Sequence, residues 1–323
     1  MKSESGLWNR PEFRIRICEK DGSNAGTGGY MTKEEFQKLT ENITLLDGAT
    51  GSNLFAMGMP RGICTEEWIL DHPDILTELQ KAYVEAGSQI LCAPTFGANR
   101  FNLNGYGLGA QVEEMNHELV QISKKAVDGK AYVAGDVTAI VKMIGMSPDA
   151  TYEKAMERYK EQMKYMIDAG VDVLLMETMT SMDEAMAALE AAQEISDLPV
   201  LCSMTIDADG SIYAGGHIFE AAETLQAMGA DAVGINCSVG PEQLVSIVEG
   251  LNNILTIPMI VKPNAGMPKI SDTGEASYDL TPEKFRESMK VLLEKGAKIV
   301  GGCCGTTPDF IRELKKLALD NRD

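Results

Sequence analysis

Eight short apolar runs recur along the chain, near residues 43 to 49, 89 to 96, 131 to 137, 171 to 177, 199 to 205, 231 to 237, 258 to 264 and 298 to 303. They are rich in Val, Ile and Leu and continuously apolar rather than alternating, the pattern of strands covered on both faces. Amphipathic stretches separate them. Tyr152 to Ala169, for example, sets Met156, Tyr159, Met163 and Ile167 on one helical face. Four such stretches close on a glycine just ahead of the next run, at Gly87, Gly170, Gly229 and Gly296, as helices with a left-handed C-terminal cap do. Strand and helix alternating eight times over about 270 residues predict a single parallel (β/α)8 TIM barrel. A doubly wound open sheet is the runner-up, weakened because no G-x-G-x-x-G follows the first run.

Ahead of the runs, residues 1–31 mix charges, contain Gly22, Gly26, Gly28 and Gly29, and show no sustained period. They read as a short N-terminal extension to a barrel domain of residues 32–323. The first helix of that domain should start at Thr32, with Glu35 as its capping-box partner. Hydrophobic residues make up 44% of the 323, enough for a large core, and no apolar run reaches the eighteen or so residues of a membrane span. The first residues carry Lys2, Glu4 and Arg10 without an apolar segment, so no secretory signal is visible. Seven cysteines, an odd number, suit a reducing compartment better than a disulfide framework. A soluble, cytoplasmic protein is therefore expected. With 29 basic and 48 acidic residues the net charge is −19, a field that repels polyanions and argues against nucleic-acid binding.

The runs share a second property: they end on polar residues, Asp47, Thr95, Asp136, Glu177, Thr205, Asn236, Asn264 and the pair Cys303-Cys304. In a barrel these ends form the rim on which active sites are built. Gly301-Gly302-Cys303-Cys304-Gly305-Thr306 is the most specific stretch. Neighbouring side chains of a regular strand point to opposite faces, so aiming both sulfurs at one point requires a sharp turn, which flanking glycines permit. Cys237, ending the sixth run, is a candidate third sulfur, because runs six and eight open on one mouth. Three thiolates leave one position of a tetrahedral zinc open, the coordination of a reactive site. Buried free cysteines, a vicinal disulfide and an iron–sulfur site are the competing readings, the last disfavoured by the lack of a C-x2-C spacing. Zinc held by three thiolates activates water poorly but suits an incoming thiol, which it deprotonates near neutral pH and leaves nucleophilic. Alkyl transfer to a thiol is the chemistry such a site favours. Cys18, Cys64, Cys92 and Cys202 lie off this pattern, as do His72, His117 and His217.

Taken together, Asp47-Gly48-Ala49-Thr50-Gly51, Pro94-Thr95-Phe96, Glu177-Thr178, Gly234-Ile235-Asn236-Cys237, Pro263-Asn264-Ala265-Gly266 and Gly301-Gly302-Cys303-Cys304-Gly305 resemble the homocysteine S-methyltransferase family, from about Thr40 to Leu319. The resemblance implies that Cys237, Cys303 and Cys304 bind zinc and that homocysteine takes the fourth position. It implies that Asp47 and Glu177 receive the homocysteine ammonium, that Gly48, Ala49 and Thr95 lie near its carboxylate, and that Thr178 and Asn236 belong to the same site. The product would be methionine. The methyl donor stays open among S-methylmethionine, betaine, S-adenosylmethionine and methylcobalamin carried by a separate corrinoid protein. After the third run the chain reads Gly135-Asp136-Val137-Thr138-Ala139, where many relatives have a Gly-Pro segment, so the donor-facing loops depart from the family pattern. No second barrel for folate and no cobalamin-binding domain is expected. A demethylase half-reaction on another thiol, and a non-catalytic zinc- or thiol-binding barrel, are the alternatives.

Overall fold

The computed structural model describes residues 30–140, 150–271 and 276–320. Ten strands appear: β1 (Thr44–Leu45), β2 (Ile90–Cys92), β3 (Tyr132–Val137), β4 (Val173–Met179), β5 (Val200–Met204), β6 (Ala232–Asn236), β7 (Met259–Lys262), β8 (Lys269–Ile270), β9 (Ala276–Ser277) and β10 (Ile299–Val300). Eight of them form one parallel sheet in the order β1-β10-β7-β6-β5-β4-β3-β2, each overlapping one of the eight apolar runs. This is a nearly closed (β/α)8 barrel, with helices filling the crossovers. The antiparallel hairpin of β8 and β9 is an addition beyond the barrel, in the connection after β7.

Regular pairing stops at one seam, between β1 and β2. There Gln89 stands in for a ladder: its amide N–H donates to the Leu45 carbonyl at 2.7 Å, and its side-chain Oε1 accepts the Leu45 N–H at 3.0 Å.

The helices start and stop where the chain chemistry directs. Thr32 and Glu35 form the expected capping box, and Gly87, Gly170, Gly229 and Gly296 take φ values of 116°, 94°, 91° and 109°, a region costly for residues with a Cβ. In the helix Tyr152–Asp168, Tyr159 and Met163 are buried while Met156 and Ile167 pack partly against the core. Most of the expected N-terminal extension lies outside the described residues. Met31, at its boundary, is buried with Phe36 of the helix Lys33–Thr40 in the cluster that fills the barrel. Each of these two side chains contributes about 2 kcal/mol by leaving water.

That inner cluster also contains Leu46, Ile90, Cys92, Ala134, Val173, Leu175, Leu201, Ala232, Ile260 and Ile299. Since strand side chains alternate, the residues two places on from these continue the same inward rows toward the C-terminal mouth.

Candidate active site

The inward rows turn polar as they rise. Ala134 is followed by Asp136, Leu175 by Glu177, and Ile260 by Lys262, while β2 ends its row on Cys92. These four side chains, with Asp47 and the three cysteines, line a cavity of about 320 Å³ at the mouth. A larger cavity of about 590 Å³ lies among Asn42, Lys290 and Lys298. It is at the opposite end of the barrel, away from every cluster of metal-ligating side chains among the described residues.

Cys237, Cys303 and Cys304 offer sulfurs that all lie within 4.8 Å of one another, with Cys237 Sγ 3.8 Å from Cys304 Sγ. The strand ends are bent to achieve this. Cys237 and Ser238 take φ of 62° and 59°, left-handed conformations costly for non-glycine residues and typical of sites where backbone strain serves placement. On the other side Gly305 has φ 82°, and a Cβ on Gly302 would stand 2.4 Å from Thr306 Oγ1, so the glycines framing the pair are required by backbone and space. The six cysteines among the described residues are free. Hydrogen bonds from Cys237 and Cys303 hold the Cys304 thiol down to about 3. Cys303 is pushed well up by its bonds to Cys237 and Cys304 and by burial. Three soft sulfur donors converging at the edge of an accessible cavity fit zinc with a position left for an outside ligand.

Beside the sulfurs lies a second, buried cluster of Cys92, Asp136 and Glu177, whose ligand atoms are also within 4.8 Å of one another. Its cation is Lys262. The Lys262 side chain is 3% exposed, and its Nζ lies 2.6 Å from Glu177 Oε1, an ion pair without hydrogen-bond geometry. Asp47 Oδ1 is 3.5 Å away and Cys92 Sγ 3.7 Å. Asp47 is pinned from its other side, where Oδ2 accepts the Cys92 N–H at 2.9 Å. Burial alone would strip the Lys262 proton, but the acidic groups around it, Cys92, Glu177 and Asp47, outweigh this and push its pKa well up. Burial and the neighbouring Glu177 push the Asp136 carboxyl well above the usual range, and burial raises Asp47 against the pull of Lys262.

Of the residues singled out from sequence, Asp47, Gly48, Ala49, Glu177, Thr178, Cys237, Cys303 and Cys304 line the cavity. Thr95 and Asn236 stand behind it. The Thr95 hydroxyl donates to the Asp136 carbonyl at 2.8 Å and accepts the Asp136 N–H at 3.1 Å, tying β2 to β3. Asn236 Oδ1 accepts the Thr178 N–H at 2.9 Å and the Ser203 hydroxyl at 2.8 Å, which supports Thr178 in its left-handed φ of 59°. Gly48 is fixed by crowding, since a Cβ there would meet Tyr83 Oη at 2.6 Å and Thr306 Oγ1 at 2.7 Å. The Ala49 N–H donates to Thr306 Oγ1 at 3.1 Å, which joins the β1 loop to the cysteine loop. Sequence reading passes over Lys262 and sets Cys92 apart from the site. The signal for Lys262 was a charged residue within a run otherwise fit for burial on both faces.

A barrel whose mouth carries three converging thiols beside a carboxylate and lysine cluster defines a thiol-centred site whose sulfurs could hold a metal ion. The profile of the family described as homocysteine S-methyltransferase matches residues 44–318, and the chain belongs to that family, whose members are methyltransferases. It is 30% identical over 294 residues to methionine synthase from Mycobacterium tuberculosis (strain ATCC 25618 / H37Rv), a match covering 85% of this chain and 24% of that protein. It is 29% identical over 296 residues to methionine synthase from Mycobacterium leprae (strain TN), covering 86% and 24%. The chain therefore spans about a quarter of the length of these curated relatives. In fold it is similar to the homocysteine methyltransferase MmuM from Escherichia coli in its metallated form, with a TM-score of 0.74, 23% identity and coverage of 85% of this chain and 96% of that one.

Proposed function

We propose that this barrel transfers a methyl group to the thiolate of homocysteine, giving methionine, with zinc held by Cys237, Cys303 and Cys304. The observation that carries the reading is the convergence of those three sulfurs at the rim of a cavity that also holds Asp47 and Glu177. The metallated form of MmuM, a homocysteine methyltransferase, supports it. Zinc bound here would favour the thiolate over the thiol of the incoming substrate while leaving it nucleophilic.

The chain's own residues supply the rest. Asp47 and Glu177 accept hydrogen bonds from the substrate ammonium, a charge-assisted contact of the stronger kind. Gly48 and Ala49, pressed against Tyr83 and Thr306, form the rigid wall for the carboxylate end. Holding the thiolate at one place lets it attack the methyl carbon in line: the new S–C bond forms as the bond from carbon to the donor breaks, and the donor keeps that electron pair. A small sulfonium or ammonium donor meets this requirement, as does methylcobalamin on a separate corrinoid protein. The free cysteines suit a reducing, cytoplasmic setting.

A screen of homocysteine against S-methylmethionine, betaine, S-adenosylmethionine and methylcobalamin tests the reading. Methionine formed from one of the four is expected. Zinc binding without turnover on any donor would favour a non-catalytic thiol-binding barrel instead.

A further inference from the structure

We propose that Lys262 is a specificity-determining residue: its ammonium fills one of two cation places among Asp47, Glu177, Asp136 and Cys92, and keeps Asp47 and Glu177 as paired anions facing the second place. That place receives the α-ammonium of the thiol substrate, so the inference rests on the function proposed above.

The argument begins with charge. Among the described residues lining the cavity, Asp47, Glu66, Asp136 and Glu177 are acidic and Lys262 alone is basic. Glu66 is occupied at the lip, where Oε1 accepts the Gly97 N–H at 2.9 Å. Burial and the neighbouring Glu177 raise the Asp136 pKa. Asp47 and Glu177 then share one fixed cation, Lys262, at the base of the cavity. A buried carboxylate pair without that fixed cation would relieve its repulsion by taking a proton. The proton would then compete with the substrate ammonium for the same oxygens.

Geometry supports the same division. Lys262 Nζ sits against Glu177 Oε1 at 2.6 Å and only loosely against Asp47 Oδ1 at 3.5 Å, so neither carboxylate is enclosed by it. Asp47 Oδ2 is anchored by the Cys92 N–H. The groups facing the two carboxylates are Cys92 from β2, Asp136 from β3 and Lys262 from β7, with Tyr83 behind Asp47. None of the others is a cation. The backbone carbonyl of Lys262 also accepts the Cys237 N–H at 3.0 Å, which sets the distance between this ammonium and the sulfur site.

The test compares zinc-loaded parent, Lys262→Met and Lys262→Arg by calorimetric titration with homocysteine and with 4-mercaptobutyrate, which lacks the amino group, between pH 6 and pH 9. Thiol ionisation affects both ligands alike and cancels in the ratio of their dissociation constants. In the parent the preference for homocysteine should stay constant within about threefold from pH 8 to pH 6. In Lys262→Met it should drop about tenfold at pH 7 and weaken by up to about tenfold per unit as pH falls, because a proton must leave before the ammonium binds. Lys262→Arg should restore the parental profile. A Lys262→Met preference that follows the parent across this range overturns the proposal, as does loss of the parental profile in Lys262→Arg. If Lys262→Met does not fold, Lys262→Gln replaces it, and the parent remains decisive, since a preference that already collapses below pH 8 shows that Lys262 does not hold the pair ionised. A parent that neither binds nor methylates homocysteine defeats the proposed function itself, which is a different outcome.

Discussion

The amide N–H of Cys237 donates to the carbonyl of Lys262 at 3.0 Å, and one residue further along, the Pro263 carbonyl accepts the N–H of Cys303 at 2.8 Å. Both sulfur-bearing strand ends thus hang from two consecutive peptide groups at the top of β7. The thiols are brought together by these backbone bonds.

One zinc per chain is therefore expected, and alanine at Cys237, Cys303 or Cys304 should abolish or severely weaken its retention. Cys92→Ala should keep the metal, because Cys92 belongs to the neighbouring cluster. Elemental analysis of purified proteins decides this. Full zinc content in Cys303→Ala would refute the ligand set.

Glu177→Gln removes a charged partner for the substrate ammonium and leaves the sulfurs untouched. A charge-assisted hydrogen bond of roughly 1.5 to 3 kcal/mol is lost, which raises the KM for homocysteine about ten- to more than a hundredfold. The zinc should remain. With 4-mercaptobutyrate the same substitution should cost much less, and an equal penalty on both thiols would show that Glu177 does not read the amino group.

Asp136 makes a pH prediction. Its pKa is raised in the fold by burial and Glu177, so above the ordinary carboxyl value near 3.9 the unfolded chain has lost a proton that the folded one retains. Stability contributed at this residue then falls with rising pH, by up to about 1.4 kcal/mol per unit until the folded pKa is passed. Asp136→Asn has no proton to lose. Its melting temperature should gain on the parent's as pH is raised from 5, and a gap that narrows instead would contradict this account.

Gly234 tests the barrel wall. A Cβ at this position would stand 1.9 Å from the Ile260 carbonyl oxygen, and backbone cannot move aside as a flexible side chain would. Gly234→Ala should cost about 3 kcal/mol by forcing β6 away from β7, a loss visible in denaturant midpoints. Gly51→Ala, with nothing within 4 Å, serves as the control and should change stability by less than about 0.5 kcal/mol.

Much of this architecture is written in the chain as period and punctuation. The run at 131 to 137 became Tyr132–Val137 almost residue for residue, because a strand buried on both faces is drawn from a largely apolar run. The run at 43 to 49 shrank to Thr44–Leu45, since pairing depends on a partner strand, which one strand's own residues do not reveal. The cysteine trio was legible because two adjacent thiols between glycines serve few other purposes. Lys262 was not. Its place depends on inward parity along β7 and on carboxylates from β4 and from the loop after β1, which approach it only after the barrel closes. The β8 and β9 hairpin was hidden for a related reason: its strands of two residues are too short to carry a period.

The incomplete seam between β1 and β2 gives Asp47 a second office. Where Gln89 bridges the lower part of that seam, the Asp47 carboxylate clasps its upper part by holding the Cys92 N–H. Closure of the ring and the proposed capture of a ligand thus draw on the same carboxylate. The barrel should breathe first along this line, with the amides of Leu45 and Cys92 exchanging with solvent ahead of those in β4 to β6. A cation settling on Asp47 would steady the clasp, so occupancy at the mouth would be felt along the joint as slower exchange.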